Sequence, residues 1–167
     1  MSAYATDALG RALLSLMAEK DIRKVTADEL SARASVGRAT YFRNFSSKEE
    51  LLTAYLVLRW RAYEKTEQLK RLPLSHPIRA QRYFEFCLSL RAENDLMIAQ
   101  GCAGSILTAF ETIVSDADFG KTGGYGAAFL AYGLYGMFIT WARGGWKETP
   151  QAMAALVSGR ILSGLDG

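Results

Sequence analysis

The chain has 167 residues, half of them hydrophobic, 22% charged and 11% aromatic, which excludes disordered, collagen-like and mini-protein readings and fits a globular protein of one or two small domains. Its net charge of +3 hides a division: residues 1–82 carry fifteen basic against nine acidic side chains, whereas residues 83–167 carry five against eight and twelve of the nineteen aromatics. A basic first half suits a polyanion and an acidic, aromatic second half suits another task.

Two cysteines, Cys87 and Cys102, and one histidine, His76, are too few and too scattered for a zinc site, a haem site or a disulfide framework, so no cofactor or metal is expected. Without a basic, then apolar, leader the start does not read as a signal peptide, and the expected compartment is the cytoplasm. Catalysis has no visible machinery: the histidine lies in a proline-flanked linker and the cysteines on apolar helical faces, so an enzyme is not expected.

In chain order, Leu9, Ala12, Leu13, Leu16 and Met17 repeat at helical spacing and predict a first helix over about 6–20, followed by a connector at 21–25. Thr26-Ala-Asp-Glu29 is a capping box that opens a helix ending near Ala34. Ser35-Val36-Gly37 is a tight turn, and residues 38–44 form another short helix whose Tyr41 and Phe45 pack back on Leu30, Ala34 and Val36. Ser47-Lys-Glu-Glu50 is a second capping box, predicting a long helix over 48–71. Pro73 and Pro77 interrupt it. Further helices are predicted at about 77–92, 95–115, 124–142 and 150–163, and no segment alternates like a strand. The expected fold is all-α: a helix-turn-helix DNA-binding domain at 1–47, a connecting long helix and linker at 48–76, and a helical bundle at 77–167 for dimerisation and ligand binding.

Two helices of seven or eight residues around a three-residue turn form the device that lays a second helix in the major groove. From Leu30 to Lys48 the chain has four basic residues and no acid, interleaved with serines, Thr40 and Asn44 that suit phosphates and base edges. The segment TADELSARASVGRATYFRNFSSKEELL, residues 26–52, resembles the DNA-binding segment of the tetracycline-repressor (TetR) family of bacterial transcription regulators. The resemblance rests on Thr26, Leu30, Ala34, Val36, Thr40, Tyr41, Phe42, Arg43, Asn44, Phe45, Lys48, Glu49 and Leu51, and extends back to about Ala8. It implies that Gly37, Arg38 and Thr40 face bases or their nearest phosphates, that Asn44 and Lys48 bind backbone, and that Thr26 anchors its helix on a phosphate. Phe42 and Arg43 fall on the same short helix; Phe42 stands where the family has tyrosine, and Ser35 where it has glycine. Arg38, able to grip guanine O6 and N7 or to clamp a phosphate, would carry most base discrimination. A dimeric repressor is what the family implies; the competing readings are a nonspecific architectural DNA binder and an interaction module with a vestigial helix-turn-helix.

Residues 122–142 are uncharged and long enough to cross a bilayer. Gly126, Phe129, Gly133, Gly136 and Thr140 recur at three- and four-residue steps, however, and five glycines dilute the hydrophobicity, so the segment is expected to be a helix seam and no membrane is expected as a partner. Met153, Leu156, Val157, Arg160 and Ile161 make a matching stripe on the last helix. Together these define an expected homodimer interface, and residues 125–157 are similar to the C-terminal domain of a TetR subgroup whose last two helices dimerise. Tyr83, Phe84, Cys87, Phe110, Phe129 and Tyr132 are the expected lining for a small apolar or aromatic effector, with core packing as their alternative role.

Overall fold

The computed structural model describes residues 2–72, 76–116 and 123–158, and all the regular structure among them is helical. Ser2 caps α1 (Ala3–Glu19) by accepting the Ala5 N–H, and the helix buries Leu9, Leu13, Leu16 and Met17. A 3-10 turn at Ile22–Lys24 leads to α2 (Ala27–Ala34) and α3 (Arg38–Asn44). These three helices enclose Ile22, Val25, Leu30, Tyr41 and Phe45.

Helix α4 (Lys48–Thr66) buries Leu51, Leu52, Tyr55, Leu56, Val57, Trp60 and Glu64, residues spread around its circumference. It has no single apolar face because α1 packs on one side and α7 on another. Gly10 of α1 sits against the Tyr55 ring, where an added Cβ would come within 2.3 Å of ring carbon, so this crossing admits no larger residue. The long helix ends earlier than residue 71: Gln68 takes a left-handed conformation at φ 54° and a separate 3-10 turn follows at Leu69–Arg71. Its length of 19 residues corresponds to roughly 28 Å.

His76 caps α5 (Pro77–Ser89), its Nδ1 accepting the Ile78 N–H. The predicted 95–115 helix is two: α6 (Arg91–Ala99) and α7 (Ala103–Ser115) are divided at Gly101, whose φ of 78° glycine adopts freely. Helices α8 (Gly123–Arg143) and α9 (Pro150–Ser158) complete the described bundle, α8 against α7 and α9 against α5. Trp141 Nε1 donates to the Glu148 carbonyl and Trp146 Nε1 to Asp95, which fastens the α8–α9 connection to the bundle. Among the described residues no helix is long and apolar enough to cross a membrane.

The break after α6 has a structural use. Gln100 donates to the carbonyls of Met17 and Lys20 and accepts the Ile22 N–H at 2.7 Å, so one side chain ties the bundle to the end of α1.

The packing of α9 corrects part of the expected dimer face. Met153 and Val157 are 5% and 1% exposed and belong to this chain's own core, because α9 turns that stripe onto α5; Leu156 is left outside. On α8, Gly126 is buried, Gly133 and Gly136 are half-buried, and Thr140 is exposed. Arg160 and Ile161 lie outside the described residues.

Candidate nucleic-acid interface

The geometry of the reading head begins with its caps. Thr26 Oγ accepts the Glu29 N–H at 3.2 Å while the Glu29 carboxylate accepts the Thr26 N–H and hydroxyl, so the helix start is closed on both sides. Lys20 reinforces this by pairing with Glu29, and the lysine, followed by the Thr26 donors, lowers the Glu29 carboxyl from 4.5 to about 2. Helix α2 ends in two crossed hydrogen bonds, Val36 N–H to Ser31 carbonyl and Ser35 N–H to Ala32 carbonyl, around the left-handed Ser35 at φ 52°. This is the Schellman arrangement, which glycine normally completes, and Ser35 makes it at a steric cost. Val36 and Gly37 then deliver the chain to α3, where the Gly37 carbonyl accepts the Thr40 N–H at 2.8 Å.

Helix α3 buries Tyr41 and leaves Arg38, Phe42 and Arg43 outside, with Thr40 and Asn44 half-buried beside them. Phe42 is 56% exposed and packs edge-on against Tyr41 at 5.2 Å. The Arg38 guanidinium lies 5.2 Å from the Phe42 ring centre and pairs with Asp28 of α2 at 2.9 Å. A planar cation over an exposed ring is thus held at the helix start by Asp28 and Phe42.

Several expected phosphate contacts have internal partners in this conformation. The Lys48 ammonium donates to the carbonyls of Ile22 and Val25, holding the connector onto the start of α4 rather than projecting outward. Asn44 Nδ2 donates to the Thr40 carbonyl at 2.7 Å, which leaves its oxygen unspent, and the Thr26 hydroxyl is committed to the cap. For Lys48 and Thr26 a phosphate contact therefore requires exchange of bonds already made. Within the acid-free run of the sequence, Arg33 pairs with Glu19 at 2.8 Å and Arg38 with Asp28, whereas Arg43 has no ion pair among the described residues. Glu19 was invisible to a reading of charge along the chain because it comes from α1. For Asp28 a local signal existed: it lies ten residues before Arg38, within the two-helix unit.

Away from this surface a cavity of about 330 Å³ opens between α4, α5, α7, α8 and the end of α9. Trp60, Tyr83, Phe110, Leu130, Leu134 and Val157 supply apolar wall, and Arg61, Glu64, Lys70, Arg79 and Asp116 supply charge. Of the six expected lining residues, Tyr83 and Phe110 reach it. Phe84 and Cys87 are buried in core packing, and burial pushes the Cys87 thiol up to about 12. Phe129 and Tyr132, 60% and 55% exposed, face outward because α8 spends its opposite side on α7. Glu64 was not expected here: with Arg61, Lys65 and Glu67 beside it in sequence, no signal along the chain marks it as buried.

Residues 11–55, which contain most of α1, both helices of the helix-turn-helix and the first turns of α4, match the family model for bacterial regulatory proteins of the tetR family. Comparison with curated proteins and with solved structures returned no match. The exposed short helix, the caps of its neighbours and the matched segment agree: residues 11–55 form a DNA-binding helix-turn-helix domain of the kind found in the tetR family of bacterial regulatory proteins.

Proposed function

We propose that the protein is a dimeric repressor that reads a roughly palindromic operator through α3 and is released from it by a small apolar or aromatic effector. On this reading the first 47 residues are the reading domain, α4 and the linker through residue 76 connect, and residues 77–167 dimerise and bind the effector, all in the cytoplasm. The observation that carries it is the course of α4. The helix starts at the Ser47 cap immediately after α3 and ends with Trp60, Arg61 and Glu64 in the wall of the cavity, so a shift at one end displaces the other.

Dimerisation is supported by the outward face of α8, where Tyr125, Phe129, Tyr132 and Thr140 are exposed and Gly136 has open space around it. Large apolar side chains standing together on a small protein favour a partner surface, and two reading heads bind a palindrome far more tightly than one. Gly37, Arg38, Thr40, Phe42, Arg43 and Asn44 are the proposed contacts to DNA, with Lys48 and Thr26 joining only on rearrangement.

Selection of bound sequences from a random duplex pool tests this reading, with sedimentation of the free protein beside it. Two half-sites at a fixed spacing and a dimer are expected. Binding without sequence preference would make the protein an architectural binder, and failure to retain any duplex would make the helix-turn-helix a vestige in an interaction module.

A further inference from the structure

The cavity contains a carboxylate with unmet acceptor capacity. Glu64 is 8% exposed, lines the cavity, and accepts no hydrogen bond among the described residues; its ion-pair neighbours, Arg79 and Lys70, stand at 3.5 and 3.8 Å. A buried carboxylate ordinarily gathers several donors at shorter range. Arg79 faces Glu64 only through Nη2 at 3.5 Å, its Nη1 being spent on the Leu72 carbonyl at 2.9 Å, and burial draws the guanidinium pKa down.

Two polar donors lie beneath the same wall. Trp60 Nε1 and the Tyr83 hydroxyl are sealed from solvent, the indole without a hydrogen-bond partner and the hydroxyl against the weakly polar Cys87 thiol. Their rings stand 6.0 Å apart, with Phe110 on the far side of Tyr83 at 5.4 Å. The wall therefore offers flat apolar surface and one acceptor with unmet capacity, with the Trp60 and Tyr83 donors lying beneath it.

Charge narrows the ligand. A cation drawn to Glu64 would meet Arg79, and an anion drawn to Arg79 would meet Glu64, since the two already face each other. A neutral hydroxyl meets neither repulsion: its hydrogen serves Glu64 and its oxygen accepts from Lys70, which lines the same cavity 3.8 Å from the carboxylate. We infer that the cavity binds a neutral aromatic molecule bearing a hydroxyl group, with the rings against Trp60, Tyr83 and Phe110 and the hydroxyl donating to Glu64. The volume is at the small end for ligand pockets and suits about two fused rings. This rests on the effector reading above and specifies its chemistry.

Calorimetric titration of the full chain with 2-naphthol and with its methyl ether, 2-methoxynaphthalene, tests the inference, with 2-naphthoate and 2-naphthylmethylammonium as charged counterparts. The naphthol should bind at least about tenfold more tightly than the ether, as a hydrogen bond to a charged acceptor predicts. It should also bind more tightly than either ion. Glu64→Gln, which weakens the acceptor but keeps its shape, should reduce the naphthol preference severalfold. Equal affinity for naphthol and ether, or tighter binding of either ion, overturns the hydroxyl assignment while leaving an effector site standing. Heat of binding from none of the four overturns both. The wild-type comparison is decisive without the variant.

Discussion

Replacing Arg38 by alanine separates what this residue does for the fold from what it does for DNA. In the free protein the side chain pairs with Asp28 and lies over Phe42, with the arginine 60% and the aspartate 72% exposed. A pair so open to solvent is worth about 0.2–1 kcal/mol. The stack over an exposed ring adds about 0.5–1 kcal/mol. The variant should therefore unfold within roughly 1–2 kcal/mol of the parent, the sum of those two ranges. On a selected operator the loss should be larger if the guanidinium grips a guanine edge: about 1–3 kcal/mol, or roughly 5- to 150-fold in affinity. On random duplex only the electrostatic part is lost. Asp28→Ala provides the opposite perturbation. It removes a carboxylate that both competes for Arg38 and repels phosphate, so random-duplex binding should tighten and the specificity ratio should fall. Both variants are to be titrated by fluorescence anisotropy against operator and random duplex at one fixed salt concentration. Equal proportional losses on the two duplexes for Arg38→Ala would reduce Arg38 to a phosphate clamp and refute the base contact.

Ser35→Gly should raise the melting temperature by relieving a left-handed conformation that costs a residue with a Cβ about 1–2 kcal/mol; an unchanged or lower value in a thermal scan would show that the turn carries no such strain. Gln100→Leu removes three hydrogen bonds between the bundle and the end of α1 and leaves the Ile22 N–H without its acceptor, so the urea midpoint should fall by the equivalent of about 1–3 kcal/mol. If that variant also binds operator with undiminished response to a bound aromatic ligand, the Gln100 joint has no part in coupling. Glu29, lowered to about 2 in the fold against an ordinary 4.5, contributes stability that is present above pH 4.5 and is lost as the pH falls through about 2. The difference in urea midpoint between the parent and Glu29→Gln should accordingly shrink across that interval, and a difference independent of pH would argue against the Lys20 and Thr26 contacts as its source.

Local signals in the chain were sufficient for the reading head. The capping box at Thr26, the Ser47 cap whose Glu50 carboxylate turns to Ser46 instead of closing a second box, the three-residue turn and the spacing of Tyr41 and Phe45 involve residues a few positions apart, so the sequence determines α2, α3 and the start of α4 through short-range hydrogen bonds and sterics. Even the strain at Ser35 was marked in advance by a serine standing where the family resemblance places glycine.

Tertiary packing decided the rest, because it depends on which helices meet. The run without acids from Leu30 to Lys48 looked bare, yet α1 and α2 bring Glu19 and Asp28 to Arg33 and Arg38, and Lys48 folds back on two carbonyls. Periodicity identified apolar stripes on the last two helices but not the neighbour each would face. Helix α9 spends Met153 and Val157 on α5, whereas α8 keeps Phe129 and Tyr132 for solvent or a partner, so residues expected around a ligand now stand on the outer face. Glu64 is the sharpest case: a glutamate near the end of a helix reads as solvated in one dimension. Only the meeting of α4, α5, α7 and α8 surrounds it with aromatic rings and leaves its carboxylate facing a cavity.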